Sequence, residues 1–340
     1  MVNKISMKDI AIKCGTSITT VSFVINGRAN EKKISETMTA KVKKVITELG
    51  YQPHSMAQGL RTGKSKTIGF LVDDISEPFF SGIAKYLDEK ATASGYKILF
   101  CCTGNDPKKA SELISMLNDR SVDGYIIALA EGVEQEISKL LEKNIPMVLF
   151  DRYLLDLNTD YVIVNNIDST YAATIHLIKN GYSRIAFVGP QTTQQQMIDR
   201  CTGYQRAIKD YGMVERVIYL SSPIEHGGGF WDIIKGNDKP DAFLFAANYI
   251  TMQALRLLIS IDPKLLEQFA MISFDDIEIL QFLPVPITAI VQPLEEIAVG
   301  IMDILLTRLG ESTQEAKIHK IISTKMIVRK SSVNRNVVRA

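Results

Sequence analysis

Apolar positions near the N-terminus recur at helical spacing in three short bursts. Met7, Ile10, Ala11 and Cys14 fall on one face of a first helix, while Lys8, Ile12 and Lys13 lie elsewhere. Ser6 and Asp9 read as its N-terminal cap and first turn, and Gly15 as its stop. A second helix over about 18–26 turns Val21, Val24 and Ile25 inward and Thr19, Ser22 and Phe23 outward, and Asn26-Gly27 breaks it. A third begins near Ser35, buries Met38, Val42, Val45, Ile46 and Leu49, and closes at Gly50. Three short helices, the first two joined by a tight Gly-containing turn, predict a helix-turn-helix head over residues 1–50.

From Thr67 the pattern changes. Apolar runs that read as strands cover 68–72, 98–101, 125–129, 147–150 and 162–164, then 185–188, 217–220, 242–245, 271–274 and 288–291. Amphipathic stretches such as 79–94, 107–120 and 168–179 separate most of them. This βαβ alternation predicts an α/β fold of parallel sheets with helices on both faces. So many strands exceed one small sheet, so two similar halves are expected, dividing near Asn165–Asp168.

Charge sharpens the division. Residues 1–66 hold 12 Lys and Arg against four acids, a net +8, which leaves the rest of the chain at −7. A basic head on an acidic body suits a polyanionic partner, although a merely solvated basic face has the same composition. The four cysteines (Cys14, Cys101, Cys102 and Cys201) have no metal-ligand spacing. Cys101 and Cys102 lie in an apolar run expected to be a buried strand, and free buried cysteines suit a reducing cytoplasm. No apolar run approaches a membrane span, and no P-loop, GxGxxG, GxSxG or HExxH occurs. The four histidines are scattered without an evident base partner. An enzyme is not expected, and neither is a cofactor or a metal.

The outward side chains of the second helix are short or planar. Thr19, Thr20 and Ser22 can hydrogen-bond base edges or phosphates, and Phe23 can meet a thymine methyl. Lys8, Ser17, Ile18 and Asn26 complete the candidate DNA-contacting set on the head. In the body, polar residues follow strand ends, where parallel sheets bind ligands. These are Asp73 and Phe79 after the first strand, Asp151 and Arg152 after the fourth, Asn248, and Asp275. Phe80 is read as core. Gln191–Gln196 is read as a loop over the pocket, with Gln194 and Gln196 as polar contacts. His226-Gly-Gly-Gly229 is read as the flexible start of a helix and Trp231 as packed.

The run Met7-Lys-Asp-Ile-Ala to Asn26-Gly27, then Ile34-Ser-Glu, Glu48-Leu-Gly-Tyr-Gln-Pro53 and Ser55-Met-Ala-Gln-Gly-Leu-Arg-Thr-Gly63, resembles the LacI/GalR family of bacterial regulators. The resemblance continues along nearly the whole chain. It implies a hinge over 51–66 whose helix docks in the minor groove, with Leu60 as wedge and Ala57 beside it. It implies a core similar to periplasmic sugar-binding proteins, two Rossmann-like lobes around a cleft. The N-terminal lobe would hold 67–164 plus 292–322, and the C-terminal lobe 165–291 plus 323–340. The final helix, 294–309, would thus return to the first lobe after Gln292-Pro293.

The resemblance also implies effector contacts at Phe79, Asp151, Arg200 and Asp275. Its partners would be a pseudo-palindromic double-stranded DNA operator, a small-molecule effector of sugar type and a second copy of the chain, with the 79–94 helix at the dimer interface. The expected function is an effector-controlled transcriptional regulator, a repressor. The alternative is an extracytoplasmic-type sugar-binding protein, which the basic head and missing signal peptide disfavour. Three departures stand out. Ala57-Gln-Gly-Leu60 replaces the common Ala-Arg-Ser-Leu, Phe23 stands where many members carry Arg, and Ala247-Asn248 stands where many carry Asn-Asp, losing a carboxylate.

Gly59 inside a helix costs about 1 kcal/mol relative to Ala. Gly59→Ala is therefore expected to tighten operator binding and weaken effector control. Equal operator affinity of variant and parent in a titrated gel shift would reject this.

Overall fold

The computed structural model of the 340-residue chain describes residues 5–51, 64–220, 228–310 and 316–333. It divides into two units, residues 1–65 and 66–340. In the first unit, α1 (Met7–Cys14), α2 (Ile18–Ile25) and α3 (Glu36–Leu49) surround one small core. The sequence dictates each end. Ser6 and Asp9 form a reciprocal capping box, and Gly15 and Gly50 close α1 and α3 in the left-handed conformation, at φ 67° and 60°. Ile10, Ala11, Cys14, Val21, Val24, Ala29, Val42 and Val45 are buried. Met7, Ile25, Met38, Ile46 and Leu49 pack against them half-buried, because so small a head cannot enclose every apolar side chain.

The second unit begins with β1 (Thr67–Val72), α4 (Pro78–Ala93), β2 (Lys97–Cys102), α5 (Pro107–Asp119) and β3 (Gly124–Ile127). It continues with α6 (Glu134–Glu142), β4 (Met147–Phe150) and β5 (Tyr161–Val164). A second series follows: α7 (Asn166–Lys179), β6 (Ile185–Gly189), α8 (Gln195–Asp210), β7 (Val217–Tyr219), α9 (Gly228–Lys235), β8 (Ala242–Phe245), α10 (Asn248–Ile261), β9 (Ala270–Phe274), α11 (Ile279–Phe282) and β10 (Thr288–Val291). The chain then runs through α12 (Leu294–Gly310), β11 (His319–Ile322) and β12 (Lys325–Ile327).

Two six-stranded sheets result. One is ordered β2-β1-β3-β4-β5-β11 and the other β7-β6-β8-β9-β10-β12. Every pairing is parallel except β10 with β12. Inner strands such as β3, β4, β8 and β9 are buried at every position, as sheets covered on both faces require. The chain therefore passes between the sheets three times, after β5, after β10 and after β11. Helix α12 packs on α4, and Leu294 fills the space beside Gly82.

A buried ion pair holds the second of these passages. Arg308 on α12 grips Asp160 through Nε and a terminal nitrogen at 3.0 and 2.8 Å. The same carboxylate accepts the Ile318 N–H at 2.8 Å, at the entry to β11. On the other lobe the last segment is held by a two-pronged Arg329–Asp276 pair, both contacts 2.7 Å.

Two expectations fail here. The run at 97–102 is not a buried strand. It forms the edge strand β2, with Cys101 buried but Cys102 half-buried and Phe100 45% exposed. An edge strand has a neighbour on one side only, so its side chains are covered less completely on both faces. The Gln191–Gln196 tract is not all loop, because α8 begins at Gln195 with Gln194 as its N-cap residue. Ala57, Leu60, Gly59 and His226 lie outside the described residues, as does the side chain of Trp231.

Helices α7 and α8 cross closely at Gly203. A methyl group there would collide with the Ile167 carbonyl and the Thr170 hydroxyl. Since one obstacle is backbone, Gly203→Ala should cost about 1–3 kcal/mol or more. Urea denaturation checks this, and an unchanged midpoint would show that the helices separate freely.

Candidate functional site

The head presents α2. Ser17 caps it, accepting the Thr20 N–H at 3.1 Å, and the two hydroxyls lie 2.9 Å apart. Ile18 and Thr19 are exposed, and Ser22 is half-buried. Asn26 donates its side-chain amide to the Ser22 carbonyl and, at 3.3 Å, to the Ser22 hydroxyl, so it closes the helix. Lys8 is exposed on α1. Phe23 departs from the fully exposed aromatic expected from its position. It is half-buried, and Arg28 and Lys32 lie 5.9 and 5.6 Å from its ring centre. Cations are drawn to the negative ring face, which holds two basic groups beside the helix.

The second unit contains a cavity of about 930 Å³ lined by residues of both lobes. All nine candidate effector residues meet there: Asp73, Phe79, Asp151, Arg152, Gln194, Gln196, Arg200, Asn248 and Asp275. They converge because they lie in the segments beyond the C-terminal ends of parallel strands or, like Phe79, Gln196 and Arg200, on the helices that those segments lead into. Asp151 after β4 and Asp275 after β9 both take left-handed backbone conformations, with φ 63° and 72°. Such conformations are costly for residues with a Cβ and mark positions fixed by their surroundings.

The charges form a chain. Arg152 donates to Asp73 through both terminal nitrogens, one contact measuring 3.1 Å, and to the Leu129 carbonyl. Its Nε lies 3.4 Å from Asp151. Arg200 reaches Asp151 from the other lobe at 3.8 Å. It also donates to Asn166 at 2.9 Å and to the Ala246 carbonyl at 2.8 Å, and its guanidinium lies 3.6 Å from the Phe274 ring centre. Burial raises the Asp151 pKa, and the two arginines only partly offset it. Burial also raises the Asp275 pKa against Arg200 and a 2.6 Å hydrogen bond from Gln292. Burial lowers the Arg200 pKa, whereas at Arg152 the same effect is outweighed by Asp151 and Asp73, leaving it raised.

Further hydrogen bonds link the lobes. Gln194 donates to Asn105 at 3.1 Å and Gln196 to Asp151 at 3.4 Å. Glu131 accepts the Thr192 hydroxyl and, at 3.0 Å, the Thr193 N–H. Tyr153 donates to Asp199 at 3.3 Å. Sequence reading missed Asn105, Glu131, Thr192, Glu77, Tyr249 and Gln292. Each carried some of the same positional signal, since Glu77, Asn105, Glu131 and Gln292 lie in segments that follow strands, Thr192 lies in the 191–196 tract and Tyr249 adjoins Asn248. Phe80 lines the cavity but is 7% exposed and packs in the core. Among the described residues no cluster of His, Cys, Asp and Glu is arranged to hold a metal, and no helix is long and apolar enough to cross a membrane.

Comparison with known proteins accounts for both units. Residues 6–54 match the profile of bacterial regulatory proteins of the lacI family. Residues 65–223 match that of periplasmic binding proteins and the sugar binding domain of the LacI family, and 174–332 a periplasmic binding protein-like domain. The HTH-type transcriptional repressor PurR of Aliivibrio fischeri is 28% identical over 338 residues, covering 97% of this chain and 99% of that protein. The ribose operon repressor of Escherichia coli is 28% identical over 314 residues, covering 91% and 94%. In fold, the chain is similar to the lac repressor dimer bound to operator and the anti-inducer ONPF. The TM-score is 0.82 at 20% identity, over 97% of this chain and 100% of that one. A regulator from Enterococcus faecalis solved with bound ribose gives 0.68 at 22% identity, over 78% and 98%.

The raised pKa of Asp275 means that its ionisation destabilises the folded, empty protein. That penalty is present above the folded pKa and disappears as acid protonates the group. Asp275→Asn should therefore melt higher than the parent near pH 7, by on the order of 1 kcal/mol. The gap should close toward pH 4, and any effector-induced shift should be lost. Calorimetric scans across pH test this, and a variant less stable at neutral pH would contradict it.

Proposed function

We propose that this chain, which belongs to the LacI family of bacterial regulatory proteins, binds its operator under the control of a small sugar-type effector held in the cleft between its lobes. It is a DNA-binding regulator of the repressor class with a sugar-binding-type core, and not an enzyme. The finer reading adds three elements. Two copies associate so that two heads read a pseudo-palindrome. The protein acts in the cytoplasm, where its DNA is. Effector binding changes lobe closure and, through the hinge, the spacing of the paired heads.

One observation carries the effector reading: the side chains that join the lobes, Asn105, Glu131, Asp151, Gln194, Gln196 and Arg200, also line the cavity. A molecule seated there competes with or completes those bonds, and so has different free energies in open and closed states. That difference is what a ligand needs in order to shift a conformational equilibrium. Carbohydrate is favoured because carboxylates and amides grip vicinal hydroxyls. Relatives point the same way: one is a ribose operon repressor, and similar folds were solved with ribose and with cellobiose.

A gel shift with the DNA upstream of the protein's own gene tests the reading, at salt from about 50 to 200 mM and with or without sugars. Specific binding that one sugar changes tenfold or more is expected. Absence of specific binding at every salt concentration would sink it.

A further inference from the structure

The polar groups of the cleft are unevenly matched. Most of its donors are committed within the protein, the Arg152 Nε being an exception. The terminal nitrogens of Arg152 serve Asp73 and Leu129, and Arg200 serves Asn166 and Ala246. The amides of Gln194 and Gln292 serve Asn105 and Asp275. Acceptors are left over. Glu77 stands at the N-cap of α4 yet makes no side-chain bond to its own helix, and no cation faces it among the described residues. Its carboxylate feels the negative charges of Asp74, at the rim, and Asp275, and burial together with these neighbours raises its pKa.

A second and independent sign is Gln196. The residue is 1% exposed and lines the cavity, and its Oε1 has no hydrogen-bond partner. Its orientation is not arbitrary. The amide nitrogen donates to Asp151 at 3.4 Å, so flipping the group would set oxygen against a carboxylate. A buried carbonyl left without a donor is costly and calls for one from a ligand.

We propose that the effector is a polyhydroxylated primary amine of the amino-sugar class, its ammonium beside Glu77 and Asp275 and a hydroxyl donating to Gln196. This rests on the reading of the cleft as a carbohydrate site. A neutral sugar would supply hydroxyl donors but leave Glu77 without a counter-charge. A sugar acid or phosphate would add negative charge to a cavity already lined by Asp73, Asp74, Glu77, Glu131, Asp151 and Asp275 against two arginines. In a site poorly screened by water, like charges repel strongly and opposite charges attract strongly.

Thermal unfolding and calorimetric titration of the full-length chain at neutral pH test the proposal. The probes are D-glucosamine and D-galactosamine, set against D-glucose, D-galactose, D-ribose, N-acetyl-D-glucosamine, D-gluconate and D-glucose 6-phosphate. An amine should raise the melting temperature and bind at least about tenfold more tightly than its neutral or acetylated counterpart. The acid and the phosphate should not bind. E77Q should erase most of the amine's advantage over its neutral parent, a ratio that a general loss of folding would not alter. If a neutral or phosphorylated sugar binds as well as the amines, the amine proposal is overturned and the carbohydrate site stands. If no probe binds, both are overturned.

Discussion

The carboxylate of Asp151 lies between two guanidinium groups. Arg152 follows it in the same lobe, and Arg200 reaches it from the other. Burial alone makes this carboxylate unfavourable as an anion, and the arginines reduce that cost without removing it. The lobes are therefore tied at their most expensive point. Separating them would leave Arg200 with fewer counter-charges, and closing them brings desolvated acids together. Buried pairs of this kind contribute little net stability, yet losing one partner is severe, commonly about 3–5 kcal/mol. Such a pair restricts which arrangements of the lobes are tolerable.

Further hydrogen bonds between the lobes complement it. Gln194 with Asn105 is a neutral bond, contributing roughly 0.5–1.5 kcal/mol net, while Glu131 with Thr192 and Thr193 and Tyr153 with Asp199 involve carboxylates, roughly 1.5–3 kcal/mol each where these are ionised. A handful of them holds closure to a few kcal/mol, within reach of the binding free energy of a small ligand. Each lobe, by contrast, has a rigid frame. The Asp160–Arg308 pair fixes the return of α12 to the first sheet, and Arg329–Asp276 fixes the final segment on the second. The frame of each lobe is thus fixed separately from the contacts that join the two lobes across the cleft.

Most of the frame was legible in the sequence because periodicity reports it directly. The parallel strands are continuous apolar runs, and the head helices carry Ser6, Ser17 and Ser35 at their starts and Gly15 and Gly50 at their ends. The strand-end rule brought Asp73, Phe79, Asp151, Arg152, Asn248 and Asp275 to one cavity, which Gln194 and Gln196 of the 191–196 tract and Arg200, implied by the family resemblance, also line. What escaped follows from tertiary structure. Asn105 and Gln194 are 89 residues apart, and neither lies in a motif that announces the other. Glu131 meets Thr192 only because the two lobes face each other. Phe100 and Cys102 looked buried because an apolar run does not say whether its strand is central or at an edge.

The head rewards the same distinction between a side chain's type and its freedom. Ser17 and Thr20 read as hydroxyls available to DNA, but they satisfy one another, and Asn26 is spent closing α2. That leaves Ile18 and Thr19 as the open positions of the helix, with Ser22 partly free and one hydroxyl proton of the Ser17–Thr20 pair still available. Such a surface offers one apolar contact and few directional hydrogen bonds, a narrow vocabulary for reading bases. Phe23 does not restore it, since its ring gathers Arg28 and Lys32. Both cations are also paired with Glu31, Arg28 at 2.8 and 2.6 Å and Lys32 at 3.4 Å, so a phosphate would have to compete with that carboxylate for them. Selectivity in such a head must then draw on the shape and deformability of the DNA, which are read as the energy of bending or twisting the duplex rather than through base-edge hydrogen bonds.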